Sequence, residues 1–503
     1  MNFYLTSFAN IGIVIMLFLI AGCQRKKSEV VWNSSFPVIG SQSSPRVADL
    51  NDDGVLDIVM GAGKNEYQYS RQGIIALDGK TGELLWQQEA TDQVYGSATF
   101  HDINNDGVKD VFIGGRSPNF RALDGKTGKI LWSYQHIQYA EHPILKYARY
   151  NFNNSVLVPD QNHDGLADLL TVNGGNSKAE PNSEVNRFPG VMILFDSKNG
   201  TIIAADTMPD GKETYMSPLC FAQPGSKDFN IVYGTGGETI SGNLYLARLS
   251  DLTEGKLENS KILAADVGHG FIAPAVIADV SSDGMYDIIA ISHGSNIFAV
   301  EGTTQALLWK RTIANTESSN SLAVGYFTDD DIPDFFTFVS RGQWPASTGS
   351  LQIMLNGKSG TVEYTDSIGC TGFSSPVVYD LNADGYDDVI LSVNEFDCSL
   401  GFTGKAPADI QNELMAIDFR SGLRQTIDRS KGFKNIFSTP WIGDLDNDGY
   451  LDIINCQYYH YGDLMLFLGM RMKRISTAVR VDEPPAWGGY MGSDSDGAFR
   501  GSK

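Results

Sequence analysis

The chain has 503 residues and a formal net charge of −22, a balance that opposes a phosphate backbone and argues against a nucleic-acid partner. Apolar residues make up 42% and charged residues only 19%, with 53 glycines. That mixture suits many short strands joined by tight turns, and speaks against a helical or disordered chain. The acidic excess forms no tail; much of it recurs in short clusters along the chain.

The N-terminus reads as an export signal. Phe8 to Gly22 is almost wholly apolar, is short for a bilayer span, and ends Ile20-Ala21-Gly22-Cys23. This resembles the lipobox of bacterial lipoproteins, which implies a signal peptide over residues 1–22 and a lipidated Cys23 as first mature residue. One departure is that no Lys or Arg precedes the apolar run. The alternative is a plain signal anchor with a chance cysteine. Diacylation at Cys23 would give the two chains that stable anchoring needs. Residues 23–29 would then be a polar tether, and Gln24 in place of Asp leans toward the outer membrane of the envelope.

Residues 30–480 carry a repeat, the first feature to look for in a chain of this length. A small residue or Pro leads an apolar strand into Asp-x-Asn-x-Asp-Gly-x-x-Asp, and a second apolar strand follows. The first copy has Asp49, Asn51, Asp53 and Asp57, and the second Asp102, Asn104, Asp106 and Asp110. The third has Asp160, Asn162, Asp164 and Asp168. Further copies have Asp279, Ser281, Asp283 and Asp287, then Asp380, Asn382, Asp384 and Asp388, then Asp444, Asp446, Asp448 and Asp452. Two copies are eroded. Ala222, Pro224, Ser226 and Asn230 fill the four slots of one, and Tyr326 and Thr328 replace the first two ligands of the other. The spacing averages about 56 residues, enough for four strands and their loops.

Between these loops lies a second motif. Ala76 to Trp86 contains Asp78-Gly79-Lys80-Thr81-Gly82 and is nearly repeated at Ala122 to Trp132, with weaker copies at Leu194, Ala299, Met354 and Ala416. The Gly-containing core reads as a hairpin turn. Each repeat therefore supplies four strands. The predicted fold is an all-β, eight-bladed β-propeller of four-stranded antiparallel blades, with seven blades as the alternative should the Ala222 copy be an insertion. Val30-Val31-Trp32 looks like an orphan last strand that completes the C-terminal blade, alongside Trp441 to Gly443, Ile453 to Asn455 and Leu464 to Leu468. Residues 481–503 are left as a C-terminal tail.

The acidic half of the unit resembles the FG-GAP repeats of integrin α-chain propellers, and the Lys-Thr-Gly half resembles quinoprotein-type blades. Carboxylates this close need a cation, and hard oxygen ligands around a sharp glycine turn resemble the first nine positions of an EF-hand loop. Structural calcium is the implied ion. By that analogy positions one, three, five and nine donate side-chain oxygens. Position seven donates a backbone carbonyl, from Val55, Val108, Leu166, Met285, Tyr386 and Tyr450.

Catalysis has little support in the sequence. The seven histidines are scattered, His163 lies inside an acidic loop, and there is no HExxH or Gly-x-Ser-x-Gly motif. Cys220, Cys370, Cys398 and Cys456 have no CxxC spacing; Cys370 with Cys398 could pair outside the cytoplasm, or all four could be buried thiols. Long insertions at 134–153, 173–190 and 393–413 offer recognition loops, and Arg116, Arg187 and Glu238 are the candidate ligand-facing residues. The expected function is a lipid-anchored, calcium-binding propeller that binds a protein or glycan partner. The alternative is an extracytoplasmic enzyme, polysaccharide-degrading or quinone-dependent. A funnel rich in convergent acids, bases and aromatics would favour the enzyme, and a broad apolar patch a protein partner.

Overall fold

A computed structural model describes residues 28–343, 346–370, 372–400 and 409–502. Cys23, most of the tether and part of the 393–413 insertion lie outside the described residues. Eight antiparallel sheets succeed one another along the chain, and each is a meander with its first strand innermost. The protein is an eight-bladed β-propeller. The Ala222 copy is a full blade, with strands Leu219–Ala222, Phe229–Gly234, Gly242–Arg248 and Lys261–Asp266, so the seven-bladed alternative falls.

The burial pattern follows from position in the blade. The innermost strands are short, as in Arg46–Ala48. Second strands such as Asp57–Gly61 are buried at every residue, because the two neighbouring blades cover both of their faces. Outermost strands such as Leu84–Ala90 are buried only in part, here at Trp86 and Ala90, because one side of them meets solvent.

Two devices join blade to blade. Outer-strand tryptophans reach the next blade: Trp32 Nε1 donates to the Gly79 carbonyl at 2.9 Å, Trp86 to Gly125 at 2.7 Å, Trp132 to Ser197 at 2.8 Å and Trp309 to Gly357 at 2.8 Å. The second glycine of the turn motif is required twice over. Gly82 has φ +73°, and a Cβ there would stand 2.6 Å from the Trp32 ring. Around the channel runs a belt of bonds from backbone N–H groups to side-chain oxygens, linking Ser44 to Ser97, Ser97 to Asn154 and Asn154 to Ser217. It resumes from Ser321 to Ser375 and from Ser375 to Thr439. Thr439 N–H then donates to Ser44 Oγ at 3.0 Å and joins the last blade to the first.

Closure is completed by Glu29–Pro37, which pairs antiparallel with Gly469–Arg480 as the outermost strand of the last blade and covers the edge that Gly469–Arg480 would otherwise expose. The strand begins at Glu29, which the sequence assigned to the tether. The third strand of this blade is Gly469–Arg480, not Leu464 to Leu468. Asp463 Oδ1 accepts the N–H groups of Met465 and Leu466 and turns that apolar run into a loop. The true strand is disguised by its charges. Lys473 pairs with Asp428 at 2.7 Å, and the buried Arg474 pairs with Asp452 at 2.8 Å.

The segment left as a C-terminal tail is packed into the centre of the ring. Trp487 O accepts from Val378 N at 2.9 Å, Gly488 O from Ile442 N at 2.8 Å and Gly497 O from Ile277 N at 2.8 Å. Trp487, Met491, Ala498 and Phe499 are buried among inner strands. Small residues and glycines around two aromatic anchors suit a narrow channel, and they carry no strand or helix periodicity that marks them in the sequence.

Candidate functional site

The acidic loops connect the first and second strands of their blades. In the first loop Asp49 accepts the N–H groups of Asp52 at 2.8 Å and Gly54 at 2.9 Å, and Asp53 accepts that of Val55 at 2.9 Å. Asp52 and Gly54 both take positive φ, so the chain curls around its own carboxylates. The same bonds recur from Asp102, Asp160 and Asp279. Asp380 and Asp444 likewise accept from the glycine of their own turns.

Position nine behaves differently. Asp57, Asp110, Asp287 and Asp452 are wholly buried. Asp57 accepts Leu50 N–H on one oxygen and Gly79 N–H on the other, both at 2.9 Å, which ties the acidic loop to the Lys-Thr-Gly turn. Asp110 does the same with Ile103 and Gly125. In the eroded sixth loop, Asp334 still holds Phe327, Thr328 and Gly357. This role therefore persists where the first two ligands are gone. Burial pushes the Asp57 and Asp168 carboxyls up to about 6 and that of Asp388 up to about 7, with neighbouring loop carboxylates adding to the rise.

In the last loop Asp444, Asp446 and Asp448 bring carboxylate oxygens within 4.8 Å of one another. The oxygen-only donor set fits calcium. Here the protein also supplies a cation of its own, since Arg474 binds Asp446 at 2.5 Å as well as Asp452.

At the opposite end of the inner strands the ring opens into a cavity of about 670 Å³. Its wall brings together Arg116, Arg187 and Glu238, the three residues singled out as ligand-facing. It also carries five asparagines (Asn151, Asn153, Asn154, Asn176 and Asn182), with Tyr95, Tyr215 and Tyr490. Tyr490 belongs to the C-terminal segment, so the channel filling contributes to the pocket. Burial pushes the Tyr490 phenol up to about 12, and those of Tyr95 and Tyr215 upward too, so all three stay neutral donors at ordinary pH.

The insertion at 173–190 forms one side of this cavity. Arg187 pins it: Nη1 is ion-paired to the buried Glu213, while Nε and Nη2 donate to the carbonyls of Ser183 at 2.7 Å and Glu180 at 3.1 Å. Arg116 is ion-paired to Glu66 and lies 5.6 Å from the centre of the Tyr95 ring. Asn153 is buried, and its Nδ2 has no partner among the described residues. Two of the scattered histidines also meet here. His293 and Glu317 line the cavity, and the His269 ring lies 5.6 Å from that of His293. His269, His293 and Glu317 follow one another at equal intervals of 24 residues, with no local motif to mark them.

Of the cysteines, Cys370 and Cys398 form a disulfide, while Cys220 and Cys456 are free thiols. No helix among the described residues is long and apolar enough to cross a membrane.

Comparison with known proteins bears on both fold and family. Residues 20–177 match the family model described as outer membrane protein assembly factor BamB. No curated protein matches the chain. Among solved structures, a europium-containing methanol dehydrogenase is similar over 89% of this chain and 93% of its own, at 11% identity and TM-score 0.56. The quinohemoprotein alcohol dehydrogenase ADHIIG from Pseudomonas putida HK5 is similar over 90% and 76%, at 11% identity and TM-score 0.56. Sqt1 of Saccharomyces cerevisiae follows over 90% and 98%, at 9% identity and TM-score 0.50. The fold is a quinoprotein-like β-propeller. At these identities the likeness carries the fold and no chemistry. The funnel of this propeller does not fit a quinone cofactor of the tricarboxylate kind. Both lining arginines are already held by Glu66 and Glu213, and Glu238 and Glu317 add negative charge to the wall.

Proposed function

We propose that this chain is an envelope binding propeller that takes a polar ligand of the glycan class into its funnel. One observation carries the reading: a ligand-sized cavity lined by five asparagines and three neutral tyrosines and floored by the chain's own C-terminal segment. Amides both donate and accept, and phenol rings offer flat apolar faces, a combination suited to a hydroxyl-rich ligand. The match of residues 20–177 to an outer-membrane assembly factor supports an envelope location. A lipid anchor at Cys23 and structural calcium in the acidic loops complete the proposal.

The test is a screen of the purified chain against immobilised oligosaccharides, with Asn153→Leu as control. Binding by the wild type and its loss in the variant are expected at unchanged melting temperature. No oligosaccharide signal above that of the variant sinks the reading. The second reading, catalysis on such a ligand, is favoured by the acids, bases and aromatics that converge on the same wall, among them the imidazoles of His269 and His293 beside Glu317.

A further inference from the structure

We infer that His269, His293 and Glu317 form a binding site for one divalent transition-metal ion in the wall of the funnel. The three come from successive blades. His269 follows the outermost strand Lys261–Asp266 of the fourth, His293 follows Asp287–Ile291 of the fifth, and Glu317 closes the short strand Thr316–Glu317 of the sixth. One ligand atom from each lies within 4.8 Å of the others. His293 Nε2 stands 3.6 Å from Glu317 Oε2, too far for a hydrogen bond. It is close to the separation of about 3–3.5 Å between two ligand atoms on one zinc-sized ion.

The site is built rather than incidental. The His293 and Glu317 side chains are only 3% and 7% exposed, and His293 Nε2 is buried with no hydrogen-bond partner. Such an atom is rare in a folded protein and calls for a partner. Each imidazole is also oriented from behind. His269 Nδ1 meets the carbonyl oxygen of Glu238 at 2.6 Å. A carbonyl only accepts, so the proton sits on Nδ1 and the Nε2 lone pair is available. His293 Nδ1 meets Ser319 Oγ at 3.1 Å, which can accept in the same way. Histidines that ligate metals are held by this kind of outer contact.

Two imidazoles and one carboxylate suit zinc or ferrous iron, whereas calcium and magnesium prefer oxygen alone. The site is thus chemically distinct from the acidic loops. Three protein ligands leave a coordination position, and because His293, Glu317 and Ser319 line the cavity, that position opens onto the funnel. A water or an oxygen of the funnel's ligand would fill it. The metal site does not depend on which ligand the funnel takes.

The experiment uses the purified full chain, stripped with chelator and titrated with zinc, and in parallel with cobalt, under excess calcium. One equivalent is expected to bind, and cobalt should show the visible absorption of a four- or five-coordinate site. His293→Ala and His269→Ala are each expected to lower zinc affinity at least about 100-fold, and Ser319→Ala about 10-fold. Lys80→Ala, at an exposed turn residue outside both kinds of site, is expected to leave zinc affinity unchanged. His269 is half-buried on a loop, so its variant remains informative should His293→Ala fold poorly. Stoichiometric uptake that survives His269→Ala, or no uptake by the wild type, overturns the assignment.

Discussion

The hydroxyl of Tyr326 donates to the carbonyl oxygen of Gly501 at 3.2 Å, and its ring packs edge-on against Phe499 with centroids 5.6 Å apart. Tyr326 occupies the first ligand slot of the eroded sixth loop. The residue that replaces a carboxylate there is one that clamps the C-terminal segment inside the ring.

Stability is therefore expected to depend on residues 482–502 as on a core element. Trp487 is almost fully buried and its carbonyl bonds the inner strand of the seventh blade. Trp487→Ala is expected to cost about 3–5 kcal/mol, as for other buried aromatics. Tyr326→Phe keeps the ring and removes one hydrogen bond, a loss of about 1 kcal/mol. Denaturant unfolding of the two variants checks the order. Equal, wild-type-like stability in Trp487→Ala would show that the segment is a loose tail after all.

The blade count and the closure at Trp32 were legible because both repeat motifs carry polar punctuation: acids that need turns, and glycines that need positive φ. The funnel was legible only in part. Arg187 sits in an insertion that breaks the repeat and Glu238 ends a Gly-rich turn, so these two stood out, whereas Arg116 follows the strand Asp110–Gly114 with no such mark. His269, His293 and Glu317 did not stand out, since each stands on a different blade without a local motif and only the curvature of the ring brings them together. Gly469–Arg480 was missed because its buried cations have partners, Asp428 and Asp452, that lie far away in sequence or behind a turn. The C-terminal segment was missed because its burial is imposed by the ring around it and leaves no periodic pattern.

Calcium is expected to raise the melting temperature and chelation to lower it, with magnesium less effective. Each loop at tenfold saturation contributes about 1.4 kcal/mol. Asp106→Ala should weaken this response, and Ser226→Ala, in a loop without the ligand set, should not. Asp334→Ala separates the two roles of the acidic pattern. It leaves the N–H groups of Phe327, Thr328 and Gly357 without their acceptor, at about 1–3 kcal/mol for each one left unmade. That loss should be the same in calcium and in chelator. Melting curves in both conditions decide it, and identical wild-type curves with no bound metal by elemental analysis would remove calcium from the proposal.

Lys434 gives a pH dependence of definite sign. Its side chain is fully buried, donates to the carbonyl of Asp463, and lies 5.4 Å from the centre of the Tyr458 ring. Burial pushes its ammonium down to about 8, whereas an unfolded chain holds that proton to about 10.4. Between these values the unfolded state binds more protons, so stability rises with pH across the window. Below about 8 both states are charged and the folded protein bears the whole cost of the buried ammonium, at most ~3 kcal/mol. Lys434→Met is therefore expected to be more stable than the wild type at pH 7, with the gap closing as pH approaches 10. Urea unfolding of both proteins at the two pH values measures it. A gap that is constant or widens with pH would mean that Lys434 keeps its proton in the fold.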